Sequence, residues 1–296
     1  MSTIHVEFNQ SPAFMPIYKA ALFGKRKKFR AGDVIPEMSS TWNGAKANPE
    51  KLAGYRTVCG LEDSTHWPLL YPHVLTSALH LAMMSNTAFP FKLLGAVHAR
   101  NHCIQHQRIA NDAVVDLSCQ SVTLRLVKQG AEFDIATRVQ VGDALVWEGL
   151  STYLIRGKYK EFGEQPEWTK LPDLGEEVET ATWKVPAGQG RRYAKVCGDY
   201  NPIHISKILA KMFGFKRDLI HGMWSAAKSI SNCPALPGEA QRFDVQFKGP
   251  VFMESSVEMK RESTGDTHRF DLYTGKDPRP CLVAKLAPAQ AGETIG

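Results

Sequence analysis

Residues 72–84 read PHVLTSALHLAMM, and this stretch decides the fold that the sequence predicts. Pro72 suits the first turn of a helix, and the apolar side chains after it are spread almost all round the helix axis. Such a helix has to be enclosed by the rest of the chain. The predicted helix ends at Asn86 and the Phe89-Pro90 pair.

The segments after this helix have the alternation of β-strands. The pattern is clearest from Val122 to Leu126, where every second residue is apolar. The predicted strands are residues 94–109, 113–128, 132–142 and 144–156, with turn signals at Asn111-Asp112, Gln129-Gly130 and Gly142-Asp143. One buried helix followed by strands that each turn back on the last predicts a curved antiparallel sheet wrapped around that helix.

The same order returns in the second half of the chain. A second apolar helix begins at Gly222 and ends before Pro234. Four more strands are predicted at residues 241–248, 251–262, 267–274 and 280–287. The two helix starts, Pro72 and Gly222, lie about half a chain length apart, which indicates a tandem repeat of pattern rather than of residue identity.

This repeat predicts an α+β chain with two similar domains, at residues 1–160 and 161–296. Residues 157–180 have the Gly, Pro and Glu content of a connection between domains. Residues 39–68 are rich in Gly, Asn and Pro, and we expect turns and loops there around brief ordered pieces.

The composition is that of a globular protein, since 43% of the 296 residues are hydrophobic and 22% are charged. The six cysteines include no C-x-x-C pair, and no N-terminal signal sequence is recognisable, so a reduced, cytoplasmic setting is expected. No apolar run approaches the roughly 18 residues that a membrane span needs.

The formal net charge of +6 raises the question of an anionic partner. Nucleic acid is disfavoured because the basic residues are dispersed and the one dense run, Lys25 to Lys28, is short. A phosphate-bearing cofactor or an acidic carrier protein would account for the same excess. The sequence has neither of the glycine-rich nucleotide-binding patterns, G-x-G-x-x-G and G-x-x-x-x-G-K-[ST].

Three histidines, His98, His102 and His106, are spaced by four residues. On a helix this spacing would be typical of a zinc site, and on a strand it would also place all three on one face. The segment is predicted to be a strand, and no carboxylate or cysteine is spaced to complete a ligand set. We therefore expect a strand that faces solvent or an interface, and no metal.

The stretch YAKVCGDYNPIH at residues 193–204 carries the candidate chemistry. Asn201 is a good helix N-cap and Pro202 fits the first helical turn, so His204 falls at the third helical position. The positive end of that helix should lower the pKa of His204 and keep its imidazole neutral. Asp199, just before the cap, can point into the same space.

A carboxylate and a neutral imidazole that share one water can take a proton from it and deliver a proton elsewhere, which is what hydration of a double bond requires. The residues alone leave a second interpretation, in which Asp199 and Asn201 only form the turn and His204 packs at the helix start. For Asn201 and Pro202 this structural role is the favoured one.

A second piece of the candidate site is IHGMW at residues 220–224. Gly222 opens an apolar helix, so the free backbone N–H groups of its first turn should point at whatever lies before it. Such groups can hold the negative charge of a thioester enolate. His221 is expected to be a positioned structural side chain.

These residues resemble a known family signature. Tyr193-Ala194, Gly198 to His204, Gly214-Phe215 and Ile220 to Met223 look like the motif of the MaoC-like, (R)-specific enoyl-thioester hydratases, and the whole chain resembles the double hot-dog members of that family. The resemblance implies a tandem double hot-dog fold. It also implies reversible addition of water to a trans-2-enoyl thioester, with an (R)-3-hydroxyacyl thioester as the product.

The resemblance implies roles as well. Asp199 and His204 would activate the water, and the Gly222 amide would stabilise the oxyanion. Supporting roles are expected for Asn201, Pro202 and His221, and substrate contacts for Tyr200, Met223 and Trp224. Some relatives use a serine on the central helix, for which Ser225 and Ser229 are both near. Cys197 stands where many relatives have serine.

No cofactor is implied beyond the coenzyme A or phosphopantetheine that the substrate carries, and no metal is implied. The expected partners are the acyl-thioester substrate, an acyl carrier protein and a second copy of the chain in a homodimer.

The first half has no D-x-N-P-x-H motif before its helix, since Asn48-Pro49 lacks both the acid and the histidine. One active site per chain is therefore predicted. By resemblance, the silent half makes room for an acyl tail, which gives residues 72–88 a lining role. A hot-dog thioesterase and a non-catalytic acyl-thioester binding module stay open as alternatives, because one fold hosts several functions. A Ser-His-Asp hydrolase is disfavoured by the missing G-x-S-x-G elbow.

Overall fold

The computed structural model describes residues 4–10, 12, 14, 16–17, 29, 34–91 and 96–295, without the side chain of Trp168. The basic run Lys25 to Lys28 lies outside the described residues. The strands are β1 (Ile4–Phe8), β2 (Met38–Lys46), β3 (Ala96–Gln105), β4 (Val114–Val127), β5 (Gly130–Val141), β6 (Ala144–Arg156), β7 (Glu179–Lys184), β8 (Gln241–Phe247), β9 (Ser256–Thr264), β10 (Thr267–Thr274) and β11 (Leu282–Pro288). The α-helices are α1 (Pro49–Cys59), α2 (Tyr71–Ser85), α3 (Gln189–Cys197), α4 (Pro202–Ile205), α5 (Lys207–Met212) and α6 (Gly222–Ile230), and a 3-10 turn spans Glu167–Thr169.

The described strands form one 11-stranded sheet in the order β1-β2-β4-β5-β6-β3-β8-β11-β10-β9-β7. The first six strands in this order come from the first half of the chain and the last five from the second half. Antiparallel pairing of β3 with β8 joins the two sets edge to edge, as in the pair Asn101 and Val245. β1 pairs with β2 in parallel, and the other pairings are antiparallel.

The predicted central helices lie against this sheet. α2 packs on β2, β4 and β5, and α6 packs on β11. Most of the apolar side chains that the sequence spreads round α2 are buried. Among them Val74, Leu79, Met83 and Met84 belong to one core cluster that runs through both halves. The double hot-dog fold is therefore confirmed. The division into domains at residue 160 stays a prediction. None of the helices in the described part of the chain is long and apolar enough to cross a membrane.

The prediction of loops over residues 39–68 is wrong, because this segment contains most of β2 and all of α1. Asn48 is the N-cap of α1, with its Oδ1 accepting the Lys51 amide at 2.9 Å, and Pro49 occupies the first turn. Gly60, with φ of 69°, ends the helix in the left-handed conformation. The turn-forming residues mark the boundaries of a helix rather than a loop.

β9 begins at Ser256, so its predicted start at residue 251 is also wrong. The residues before it form a loop in which Glu254 has φ of 61°. This loop holds the chain that leads into α6, because the Ile220 amide donates to the Val251 carbonyl at 2.9 Å and the Met253 amide to the Asp218 carbonyl at 3.1 Å. The loop therefore has a positioning role.

The prediction that His98, His102 and His106 share one strand face is wrong for His98. A β-bulge between His98 and Arg100 shifts the register, so that His98 pairs with Tyr153 whereas His102 pairs with Leu150. Since Tyr153 and Leu150 point to opposite faces of β6, the bulge turns His98 towards the interior.

His102 and His106 each lie beside a carboxylate. His102 is buried at the β3–β8 junction with its Nδ1 2.7 Å from an Asp244 oxygen, and His106 Nε2 lies 3.1 Å from an oxygen of Glu148. Within the described residues the three histidines form no metal-binding group. The expectation of an interface is thus met by the junction between the halves.

The connection between the halves lies across the outer face of the sheet. Gln165 donates to Glu132 at 2.8 Å, Arg269 donates to the Pro172 carbonyl at 2.7 Å, and the Gly175 amide donates to Glu262 at 2.8 Å. These contacts fix the connection over strands of both halves.

Candidate active site

The end of α3 delivers the predicted acid to the site. Gly198 has φ of 80° and caps α3, with its amide donating to the Ala194 carbonyl at 2.8 Å. The chain then turns sharply, because one carboxylate oxygen of Asp199 accepts the Asn201 amide at 3.0 Å. Asn201 caps α4 by accepting the Ile203 amide at 3.4 Å. The predicted cap is therefore confirmed.

Close contact between α3 and α4 depends on Gly190. A Cβ atom built there would lie 2.0 Å from the carbonyl oxygen of His204. Any larger residue would push α3 away from the segment that carries the histidine. Gly190 therefore fixes how closely the two helices approach.

His204 is held in one tautomer. Its Nδ1 lies 2.9 Å from the Leu219 carbonyl oxygen, which can only accept, so Nδ1 carries the proton and Nε2 has the lone pair. Burial lowers the pKa of His204 below 6.5, and the charge of Asp199 acts in the opposite direction. The expected direction is right, but the cause is burial. The dipole of a four-residue helix is small.

His221 contacts both Asp199 and His204. It is the N-cap residue of α6, and its Nε2 donates to the Asp199 carbonyl at 2.9 Å and lies 3.6 Å from an Asp199 carboxylate oxygen. Its ring stacks on His204 with a centroid distance of 3.8 Å and an interplanar angle of 29°. Burial and the neighbouring His204 lower the pKa of His221 to about 3.

Asp199, His204 and His221 thus converge, each with one side-chain N or O atom within 4.8 Å of the others. One carboxylate and two imidazoles are also residue types that can bind a metal ion. The His221 Nε2 proton, however, is donated to a carbonyl, so this nitrogen has no lone pair for a cation while that bond holds. That the enzyme uses no metal stays a prediction.

α6 begins at Gly222, as predicted. The amides of Trp224 and Ser225 both donate to the His221 carbonyl, at 3.1 and 3.2 Å. The Gly222 amide donates to no acceptor within the part of the chain that the structure describes. The Phe247 ring packs closely on Gly222, since a Cβ atom built at Gly222 would lie only 2.9 Å from the ring. A free amide at this helix start can stabilise an oxyanion.

Comparison with known proteins identifies the family. The MaoC like domain model matches residues 170–278. The chain is 33% identical over 226 residues to the 3-hydroxyacyl-thioester dehydratase X of Mycobacterium tuberculosis, and the match covers 76% of this chain and 80% of that protein. The chain belongs to the MaoC-like dehydratase family. It is therefore an enzyme of the hydro-lyase class.

The similarity of this MaoC-like dehydratase to solved structures extends over both halves. The crystal structure of HtdX of Mycobacterium tuberculosis matches it with a TM-score of 0.73 and 29% identity, covering 85% of this chain and 100% of that chain. A 64-residue stretch is also 38% identical to the fatty acid synthase subunit beta of Aspergillus oryzae, covering 20% of this chain and 3% of that protein.

Three further residues that the family resemblance singled out have clear environments. Cys197 Sγ accepts the Asp199 amide at 3.4 Å, so sulfur makes the contact that a serine oxygen could make. On α6, Ser229 Oγ donates to the Ser225 carbonyl at 2.8 Å. The Ser225 Oγ is buried and has no hydrogen-bond partner among the described residues. Of the two serines, Ser225 has the uncommitted hydroxyl.

The three expected substrate contacts of the MaoC-like dehydratase differ in environment. Tyr200 is exposed beside Asp199. Met223 and Trp224 are buried, and the indole N–H of Trp224 donates to the Val58 carbonyl at 2.7 Å, which ties α6 to α1. A role of these residues in substrate binding stays a prediction.

The sequence did not indicate which first-half residues lie near the dehydratase site. His73, buried in the first turn of α2, feels the Asp199 charge, although burial dominates and lowers the pKa of His73 to about 4. The His73 ring stacks on His98 at 5.2 Å, and His98 lies 5.2 Å from Phe247, the ring that covers Gly222. Only the predicted lining role of residues 72–88 pointed this way, and it stays a prediction.

Proposed function

We propose that this MaoC-like dehydratase catalyses the reversible hydration of trans-2-enoyl thioesters to (R)-3-hydroxyacyl thioesters. The observation that carries the proposal is the convergence of the Asp199, His204 and His221 side chains. His204 has a free Nε2 lone pair, and the unpaired Gly222 amide directly follows His221 in the chain. The matched M. tuberculosis relative bears the name of a 3-hydroxyacyl-thioester dehydratase, which supports a thioester substrate.

In the hydration direction, His204 Nε2 takes one proton from the water as the water oxygen bonds to C3 of the substrate. The electron pair of the C2–C3 double bond moves toward the thioester carbonyl, where the Gly222 amide stabilises the negative charge. The resulting enolate then takes the proton back from the His204 imidazolium at C2. The reverse sequence expels water from the 3-hydroxyacyl thioester.

Asp199 has two roles in this mechanism. Its carboxylate accepts the other hydrogen of the water and so orients the oxygen, and its charge stabilises the transient imidazolium, as its upward effect on the His204 pKa indicates. His221 is a positioning residue, since it donates to the Asp199 carbonyl and stacks on His204. No cofactor takes part in these steps beyond the coenzyme A or phosphopantetheine of the substrate.

The identity of the product tests this proposal. Purified protein should remove the enoyl absorbance of crotonyl-CoA without releasing free thiol, and chiral analysis should find the (R)-3-hydroxy product. Thiol release with the enoyl group intact would instead make the protein a thioesterase. Binding of crotonyl-CoA without either reaction would make it a binding module.

A further inference from the structure

Four large apolar side chains are exposed shortly after α4, the helix that contains His204. Ile208 is 74% exposed, Leu209 37%, Met212 76% and Phe213 45%. We call these four residues the α5 patch. A cluster of exposed apolar groups within one short segment marks a surface that another molecule covers, whereas single exposed apolar residues need no explanation.

The patch lies on an ordered element. Ser206 caps α5 by accepting the Leu209 amide at 3.3 Å, and the Phe213 amide donates to the Leu209 and Ala210 carbonyls at 3.1 Å each. Ala210 is the fully buried residue of this helix. A small residue thus anchors α5, and the large apolar residues point outward, which is the reverse of an ordinary amphipathic surface helix.

The charged residues of the segment that carries the patch all have one sign. Residues 205–217 contain four basic residues and no acidic one. Arg217 is paired with Asp218 at 3.2 Å and with Glu254 at 2.5 Å. The lysines Lys207, Lys211 and Lys216 are exposed and form no ion pair within the described residues. The partner that covers the patch should therefore combine acidic groups with an apolar contact surface.

The position of the patch relates it to catalysis. α5 starts three residues after His204, and the chain that leaves α5 runs directly to Leu219, whose carbonyl orients His204, and on to Gly222. A partner seated on α5 would therefore lie beside both parts of the site. A partner that carries the substrate would gain most from such a position.

We propose that the α5 patch docks an acidic acyl carrier protein that presents the enoyl group as a phosphopantetheine thioester. This inference rests on the proposed function, because it requires a thioester substrate. The apolar side chains supply the contact, and the three unpaired lysines steer the acidic surface of the carrier into place.

The test compares the same enoyl group on two carriers. In the double variant Lys207→Glu, Lys211→Glu, the KM for crotonyl-acyl carrier protein should rise tenfold or more, while kcat and KM for crotonyl-CoA stay unchanged. The variant Met212→Gln should raise the same KM through loss of the apolar contact. The matched control is Lys158→Glu, Lys160→Glu, a charge reversal on exposed lysines of the inter-half connection, and should have the wild-type KM for both substrates.

Direct binding separates this inference from the proposed function. Calorimetry with holo-acyl carrier protein should give a dissociation constant that the α5 double variant weakens tenfold and that added salt also weakens. Equal KM values and equal binding in wild type and variants would overturn the proposal, even if crotonyl-CoA is hydrated. Binding of the patch to phosphatidylglycerol vesicles but not to the carrier would overturn it in favour of a membrane surface. If neither thioester reacts, the proposed function fails, and the binding data still decide the docking.

Discussion

His204 can act as a base only while it is neutral. Burial favours the neutral ring, and the Leu219 carbonyl fixes the proton on Nδ1. Asp199 opposes burial by favouring the charged ring, which helps when the imidazole takes a proton during the reaction. In the proposed mechanism, the two influences allow the ring to be a neutral base at rest and to accept a proton during the reaction.

The pH dependence of the rate follows from this balance. Above its pKa His204 has a free Nε2 lone pair, and below its pKa the lone pair is protonated and the base is lost. Burial lowers the pKa of His204 below 6.5, so the acid limb of the kcat/KM profile for crotonyl-CoA should have its midpoint below pH 6.5. Above the midpoint, kcat/KM should rise to a plateau that extends through neutral pH. A pH–rate profile measures this. An acid midpoint above pH 6.5 would contradict the assignment of His204.

The grouping of Asp199 with His204 and the helix start at Gly222 could be predicted because these residues lie in one stretch with a characteristic pattern of residue types and spacing. Their catalytic roles stay predictions. The Leu219 carbonyl could not be predicted, because a backbone acceptor leaves no mark in the sequence. His73 and Phe247 were missed for another reason. His73 and Phe247 come near the site because the two halves of the chain are joined through β3 and β8. No local sequence pattern encodes that contact.

At the scale of elements, the approach of α3 to α4 positions His204, the proposed base. Gly190→Ala would place a methyl group 2.0 Å from the His204 carbonyl, and backbone cannot yield as a side chain can. The variant should lose about 1–3 kcal/mol of stability and at least tenfold in kcat. Gly249→Ala is the matched control, because its Cβ would lie 3.7 Å from Cys281, an ordinary contact. Urea unfolding and crotonyl-CoA hydration measure both effects, and equal behaviour of the two variants would refute the role of Gly190.

The sequence predicted elements well where a single periodicity runs through them. α2 and the strands from β4 to β6 lie within a few residues of their predicted positions because their apolar residues keep one spacing throughout. β2 and α1 were missed because Asn48-Pro49 and the bulge at Trp42 to Ala45 have the composition of turns. The start of β9 was misplaced because residues 251–255 are apolar enough for a strand. They form a loop instead, which is hydrogen-bonded to the residues that precede α6.

The repeat unit is also longer than the sequence indicated. Each half contains a strand, a helix, a central helix and four strands, as in β2, α1, α2 and β3 to β6. The first half keeps this framework without the acid and histidine of the second half. It still contributes to the surroundings of the site, through His73 and through the Val58 carbonyl that holds Trp224.

For the whole molecule, buried neutral histidines make stability depend on pH. Burial lowers the pKa of His73 to about 4 and that of His221 to about 3, from 6.5 in the unfolded chain. Between pH 6.5 and about 4 the unfolded chain therefore binds protons that the folded chain does not. As the pH is lowered through this window, the free energy of unfolding should decrease by about 1.4 kcal/mol per pH unit for each such histidine. Urea unfolding at several pH values measures this slope, and His73→Gln should reduce it. An unfolding free energy that is the same at pH 6.5 and at about pH 5 would contradict the burial of neutral histidine rings.

The central claim is that Asp199 and His204 activate the water, and the hydration rate of crotonyl-CoA tests it most directly. Asp199→Asn and His204→Ala should each lower kcat by about 100-fold or more. Asp266→Asn and His5→Ala remove the same groups from exposed positions and should have the wild-type rate. If Asp199→Asn and His204→Ala retain the wild-type circular dichroism and melting temperature and also the wild-type rate, the claim is wrong.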